Sequence, residues 1–239
     1  MISKKELQLA FRAALPSTLP IFAGFLFLGV AYGIFMNVSG FGAGYAFLMS
    51  LLIFAGSMEF VAVNLLLGAF NPLGALFLTL MVNARHLFYG ISMLEKYSGT
   101  GLKKIYLIFG LCDESFSINY TANIPQGVNK GWYMFFVTLL NHSYWVIGAS
   151  IGGLFGSLVK INMDGLEFVM TALFVVIFIE QWTKETVHYS ALLGLGVSIL
   201  CLSIFHSGSF VLPSMIIILF VLILMRKQFE KKARESTCQ

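Results

Sequence analysis

Charge is what this 239-residue chain has least of: Asp, Glu, Lys and Arg make up 11% of it, against 58% hydrophobic residues. An ordinary soluble domain carries about a quarter charged residues and roughly 45–50% apolar ones. One compact core cannot hide this much apolar side chain, which excludes a water-soluble globular enzyme, a disordered chain and a secreted disulfide scaffold. Cysteine is also scarce. Cys112, Cys201 and Cys238 lie in two apolar runs and a tail without disulfide or metal spacing, and read as small buried hydrophobes. No H-E-x-x-H or comparable ligand spacing occurs, and no Walker loop, so metalloprotease chemistry and a self-contained ATP-driven pump have no support. There is no G-x-S-x-G either, and Gly56-Ser57 with a distant histidine is a thin basis for an intramembrane serine hydrolase. The alternating segments of a membrane barrel are missing. Neither enzyme chemistry, nor a cofactor, nor a metal is expected.

What is present is apolar sequence in long runs. Breaks at Gly, Pro, Asn and charge clusters leave eight of them, at about 15–36, 42–69, 72–94, 103–123, 131–158, 165–182, 187–206 and 209–226. A spanning helix needs about 20 residues, so the reading is all-α: a single polytopic membrane domain over 1–239 with about seven or eight hydrophobic helices. The first run carries prolines and lacks a small-residue cleavage site, which argues against a removable signal peptide.

A weak internal repeat joins residues 44–52 to 165–173 and sets Glu59 opposite Glu180, suggesting related halves at about 15–123 and 131–226. Chance matching of apolar letters is the competing account. The basic residues bear on topology, because cytoplasmic flanks are enriched in Lys and Arg. Lys4, Lys5 and Arg12 precede the first run, and Arg226, Lys227, Lys231, Lys232 and Arg234 follow the last, so both termini are expected inside. The net charge of +4 is therefore membrane signature rather than a sign of nucleic-acid binding. Eight full crossings put Lys96, Lys103 and Lys104 outside. If the paired second and sixth runs are instead broken or re-entrant, that loop returns to the cytoplasm and the halves become inverted.

Ionisable residues inside apolar runs are expensive unless paired or hydrated, and mark candidate sites. Four clusters qualify. In Ala55-Gly56-Ser57-Met58-Glu59-Phe60, the small triplet lets a backbone approach or a helix open, and Glu59 supplies a carboxylate; a tight helix crossing with an interfacial glutamate is the plainer account. In Asn83-Ala84-Arg85-His86-Leu87-Phe88-Tyr89-Gly90, helical spacing makes neighbours of Asn83 and His86, of His86 and Tyr89, and of Arg85 and Tyr89. Arg85 stays charged, so it meets a carboxylate, snorkels to headgroups or awaits an anion. Asp113 and Glu114, in the middle of the fourth run, point about 100° apart on a helix. One can neutralise Arg85 while the other carries protons, unless this run is amphipathic and interfacial. In Asn141-His142-Ser143-Tyr144-Trp145, His142 is either a relay or a packing residue. His188 and His206, at run ends, read as interfacial.

At these residues the chain resembles the AzlC family of bacterial inner-membrane permeases. The stretches that carry the likeness are Gly29-Val30-Ala31-Tyr32-Gly33, residues 55–60, residues 83–90 and Asp113-Glu114-Ser115-Phe116, in this order. The resemblance implies export of valine, leucine or isoleucine across the bilayer of the cytoplasmic membrane, together with a small AzlD-type membrane partner. Many members carry Gln where this chain has Glu59, so that carboxylate is a departure. Read with the clusters, the expected substrate site is Gly56, Ser57, Glu59, Asn83, Arg85 and Tyr89, with Arg85 on the substrate carboxylate and Glu59 or Asp113 on its ammonium. Protons are the expected coupling ion, carried among Asp113, Glu114, His86 and His142. The competing reading is a non-catalytic membrane subunit whose polar clusters dock the partner.

Overall fold

The computed structural model describes residues 3–158 and 188–205, with isolated positions at 175, 178–179, 182–183, 210, 213–214, 216–218, 220–221 and 223–225. The second copy of the internal repeat, Glu180, His206, Cys238 and the basic C-terminal residues lie outside them, as does most of the sixth apolar run. The chain divides into two units, residues 1–166 and 167–239.

In the first unit the described elements are helical. Helix α1 is Lys4–Val38, started by a capping box in which Ser3 accepts from Lys5 and Glu6 reaches back to the Ser3 amide. Short helices follow: α2 (Ala43–Leu52), α3 (Gly56–Leu67), α4 (Pro72–Val82), α5 (Ala84–Met93), α6 (Lys103–Phe109) and α7 (Asp113–Thr121). Helix α8, Lys130–Phe155, is capped by Asn129 and runs into a 3₁₀ turn at Gly156–Leu158. In the second unit, α9 is Tyr189–Phe205. Among the described residues, two helices are long and apolar enough to cross a membrane, α1 and α8 with its 3₁₀ extension.

Those two helices form the spine of the first unit. Their approach rests on glycine facing glycine: a Cβ added at Gly29 would lie 2.9 Å from the Trp145 carbonyl oxygen, and one at Gly148 would lie 2.8 Å from that of Leu26. A turn further along, a Cβ at Gly33 would fall on the Ala149 carbonyl oxygen and one at Gly152 on that of Val30. Small residues at such spacing let backbones touch, the means by which helices associate where lipid supplies no hydrophobic drive. Polar groups tie the same pair. The Asn37 side chain donates to the Gly153 carbonyl (2.9 Å), the Tyr133 hydroxyl donates to Ser17 Oγ (2.9 Å), and Thr18 bonds Tyr144 (3.2 Å).

Each of the second, third and fourth apolar runs is two helices rather than one. The second opens at Ile53–Ala55, where Phe54 holds φ +44°. A non-glycine residue in the left-handed region costs about 1–3 kcal/mol, so the break is held by its surroundings. The third turns at Asn83, and the fourth, expected to be continuous, opens at Gly110–Cys112. The first and last of these breaks meet: a Cβ at Gly110 would lie 3.7 Å from the Phe54 ring. Asp113 and Glu114 are thus not mid-helix residues; they occupy the first turn of α7.

Candidate functional site

The breaks bring three of the four polar clusters together. Helix α3 starts at Gly56-Ser57, α7 starts at Asp113, and Arg85 stands in the first turn of α5. Arg85 Nη2 lies 3.0 Å from Asp113 Oδ2, the ion pair among the described residues, and donates to Ser57 Oγ at 3.4 Å. Both side chains remain about a quarter exposed, 27% and 28%, so the pair is reachable while its inner atoms are not. Arg85 Nε and Asp113 Oδ1 are buried and find no hydrogen-bond partner among the described residues, and neither does Asn83 Oδ1 nearby in sequence. Buried polar atoms are normally paired. An ion pair with one spare donor and one spare acceptor has the complement of a zwitterion. The helix starts add to it, since first-turn amides are unbonded within a helix and favour negative charge.

Aromatic rings line the same place. Tyr89 stacks on Phe116 at 4.4 Å between centroids, Phe116 stacks on Tyr120 at 5.2 Å, and His86 meets Tyr89 edge-on at 5.7 Å. The helical spacing that joined His86 to Tyr89 in the sequence therefore holds. Lys96 donates to the Tyr120 carbonyl and lies over that ring, 4.5 Å from its centroid.

Glu59 is elsewhere. Its side chain is fully buried, with the Trp145 indole N–H shared between its oxygens at 2.9 and 3.1 Å and the Ala55 amide donating to Oε1 at 3.1 Å. It makes no ion pair with Arg85. Trp145 is the residue that reading the sequence missed. It stands 86 positions from Glu59 in the chain, and only its place in the fourth polar cluster hinted at a role. His142, from the same cluster, bridges other groups: Nδ1 bonds the Tyr106 hydroxyl at 2.9 Å, Nε2 lies 3.3 Å from the Ser50 carbonyl, and Phe54 packs on its ring at 4.4 Å. Asn141 donates to Ser115 Oγ at 3.3 Å, and Cys112 donates to the same oxygen at 3.2 Å. In the second unit, His188 stacks on Trp182 at 4.1 Å just before α9 begins.

Apolar helices crossing on glycine, with an ion pair where broken helices begin, are the marks of a helical membrane protein. The chain belongs to the AzlC family, whose model, described as AzlC protein, matches residues 20–159. It is similar to the branched-chain amino acid transport protein AzlC of Bacillus subtilis (strain 168), 69% identical over 231 residues that cover 97% of this chain and 91% of that protein. It is 52% identical over 224 residues to an uncharacterized membrane protein of Haemophilus influenzae, covering 93% of this chain and 92% of that one. Inner membrane protein YgaZ of Escherichia coli (strain K12) is more distant, 27% identical over 185 residues, 73% of this chain and 74% of that protein. No solved structure matches the chain.

Proposed function

We propose that this chain is a secondary transporter that exports branched-chain amino acids across the bacterial cytoplasmic membrane, coupled to protons and working with a small AzlD-type membrane subunit. The observation that carries the reading is the Arg85–Asp113 pair, with Arg85 Nε and Asp113 Oδ1 both without a hydrogen-bond partner among the described residues. The substrate carboxylate meets Arg85 beside Ser57 and the start of α3, and the ammonium meets Asp113. Asn83 adds a polar edge, and Tyr89 stacked on Phe116 offers an apolar wall for an aliphatic side chain. Such a wall separates valine from isoleucine poorly, since one methylene is worth about 1–3 kcal/mol. The name of the Bacillus subtilis relative supports the same class of substrate.

Proton movement falls to Asp113 and Glu114 in the first turn of α7 and to two imidazoles, His86 beside Tyr89 and His142 bonded to Tyr106. A docking role for Arg85 would have it wait for a carboxylate of the partner; its pairing with Asp113 inside the chain favours the substrate reading.

The test is radiolabelled valine efflux from cells expressing the chain with and without the partner. Arg85→Lys replaces a planar fork with a point charge and is expected to lower efflux at least tenfold at equal expression. Asp113→Asn is expected to lower efflux and alter its pH profile. Normal efflux from Arg85→Lys removes the site assignment. An unchanged pH profile in Asp113→Asn removes that residue from the proton path.

A further inference from the structure

Glu59 looks in sequence like a ligand for the substrate ammonium, and the geometry points to a different task. We infer that Glu59 and Trp145 form a clasp that holds open the helix break at Ile53–Ala55 and so sets where the start of α3 stands relative to Arg85. The inference rests on the Arg85–Asp113 site proposed above, and makes Glu59 and Trp145 positioning residues that act through Ser57.

Five observations converge on the clasp. The Glu59 side chain is fully buried and each of its oxygens is already engaged by Trp145. One of them also takes the amide of Ala55, the residue that ends the break, so the carboxylate bonds the backbone N-cap position of its own helix. Trp145 is fixed from behind, because Tyr32 stacks on it at 6.0 Å and Phe25 meets it edge-on at 5.7 Å. The indole also sits under the first residue of α3: a Cβ at Gly56 would lie 3.0 Å from Trp145 Cη2. The position before Ala55 is the left-handed Phe54. A segment in that conformation persists only where its surroundings over-determine it.

The consequence for the site is direct. Ser57 is one residue beyond Gly56, and its Oγ meets Arg85 at 3.4 Å. If the Ala55 amide loses its acceptor, the first turn of α3 is free to move, and Ser57 moves with it. The charge of Glu59 is not what the clasp uses. Oε1 accepts from both Trp145 and Ala55, and a glutamine carbonyl can accept the same two bonds. A ligand for an ammonium group would need the charge; a clasp needs an acceptor oxygen.

Glu59→Gln, Glu59→Ala and Trp145→Phe are compared in two assays on the full chain with its partner. The first is hydrogen–deuterium exchange of the peptide covering residues 53–58 in nanodiscs, which reads the break without reference to any substrate. The second is valine efflux, with apparent KM and maximal rate determined separately. Exchange in the 53–58 peptide is expected to rise at least tenfold in Glu59→Ala and in Trp145→Phe, and to change less than threefold in Glu59→Gln. In efflux, Trp145→Phe and Glu59→Ala are expected to raise KM several-fold, with Glu59→Gln within threefold of the parent. If Glu59→Gln is as defective as Glu59→Ala while exchange is unaltered in both, Glu59 is a charged ligand and the clasp is wrong. If Glu59→Ala does not accumulate in the membrane, Trp145→Phe decides, and unchanged exchange there overturns the inference. Absence of valine efflux from the parent would refute the transport reading and leave the exchange result standing on its own.

Discussion

The glycine crossing of α1 and α8 can be tested within a single helix. A Cβ at Gly33 would fall on the Ala149 carbonyl oxygen and the Gly153 nitrogen, and would stand 2.8 Å from the Gly152 carbonyl carbon. All three are backbone atoms, so no rotamer change relieves the overlap and the helices must part. Overpacking of this kind costs typically about 1–3 kcal/mol, and Gly33→Ala should lie near the top of that range because separation also weakens the contacts on either side. Gly24, on the same helix, has nothing within 4 Å of its added Cβ. There, alanine removes a helix-interior glycine and should stabilise by roughly 0.5–1 kcal/mol. The two substitutions add the same atom to the same helix, yet their unfolding free energies should differ by about 3–4 kcal/mol, more than a hundredfold in equilibrium constant. Gly29→Ala, whose nearest backbone neighbour is 2.9 Å away, should fall between them. The assay is unfolding of purified protein in mixed micelles with increasing SDS, followed by tryptophan fluorescence. Equal midpoints for Gly33→Ala and Gly24→Ala would refute the close approach.

Further predictions follow from the same contacts. His142→Ala leaves the Ser50 carbonyl and the Tyr106 hydroxyl without their partner, each worth about 1–3 kcal/mol when buried and unpaired. Tyr106→Phe removes one of those bonds at about 1 kcal/mol. The same SDS titration should place His142→Ala well below Tyr106→Phe, and a reversed order would remove His142 as the tie across the break. For topology, Ser98→Cys in a background without the native cysteines presents an exposed thiol in the connection that holds Lys96 and leads into Lys103 at the start of α6. If the second run is broken and returns to its own side, this thiol is modified from the cytoplasm; modification by an impermeant reagent added outside would reverse that assignment.

Much of this arrangement is legible in the residues, and the parts that are not have physical reasons. The break at 53–55 is announced by Ala55-Gly56-Ser57, small residues in an otherwise bulky run. The break at 110–112 carries a quieter signal: Gly110 followed by an acidic pair is also how a helix ends and another starts, but the surrounding Leu and Cys read as continuous apolar sequence. Consequently, Asp113 and Glu114 are expected in mid-helix and lie instead in a first turn. Arg85, whose charge persists, calls for a carboxylate, the headgroups or an anion, and the partner it finds is Asp113. Glu59 is unreadable in the same way, because its partner Trp145 is a tertiary neighbour with no periodic relation to it. The glycines of α1 stand out in sequence, whereas their counterparts in α8 acquire meaning once the crossing is seen.

The separation of α1 and α8 along the chain has a consequence for how the protein is made. Helix α1 ends at Val38 and α8 starts at Lys130. At about 5–20 residues per second, the ribosome needs roughly 5–18 s to supply the segment between them. During that interval the glycine face of α1 has no helix to close on, while α2, α6 and α7 emerge without the helix they pack against. The growing chain thus stays unfinished in the membrane until α8 emerges, and a stall anywhere between residues 39 and 129 leaves an open groove for quality-control machinery to find.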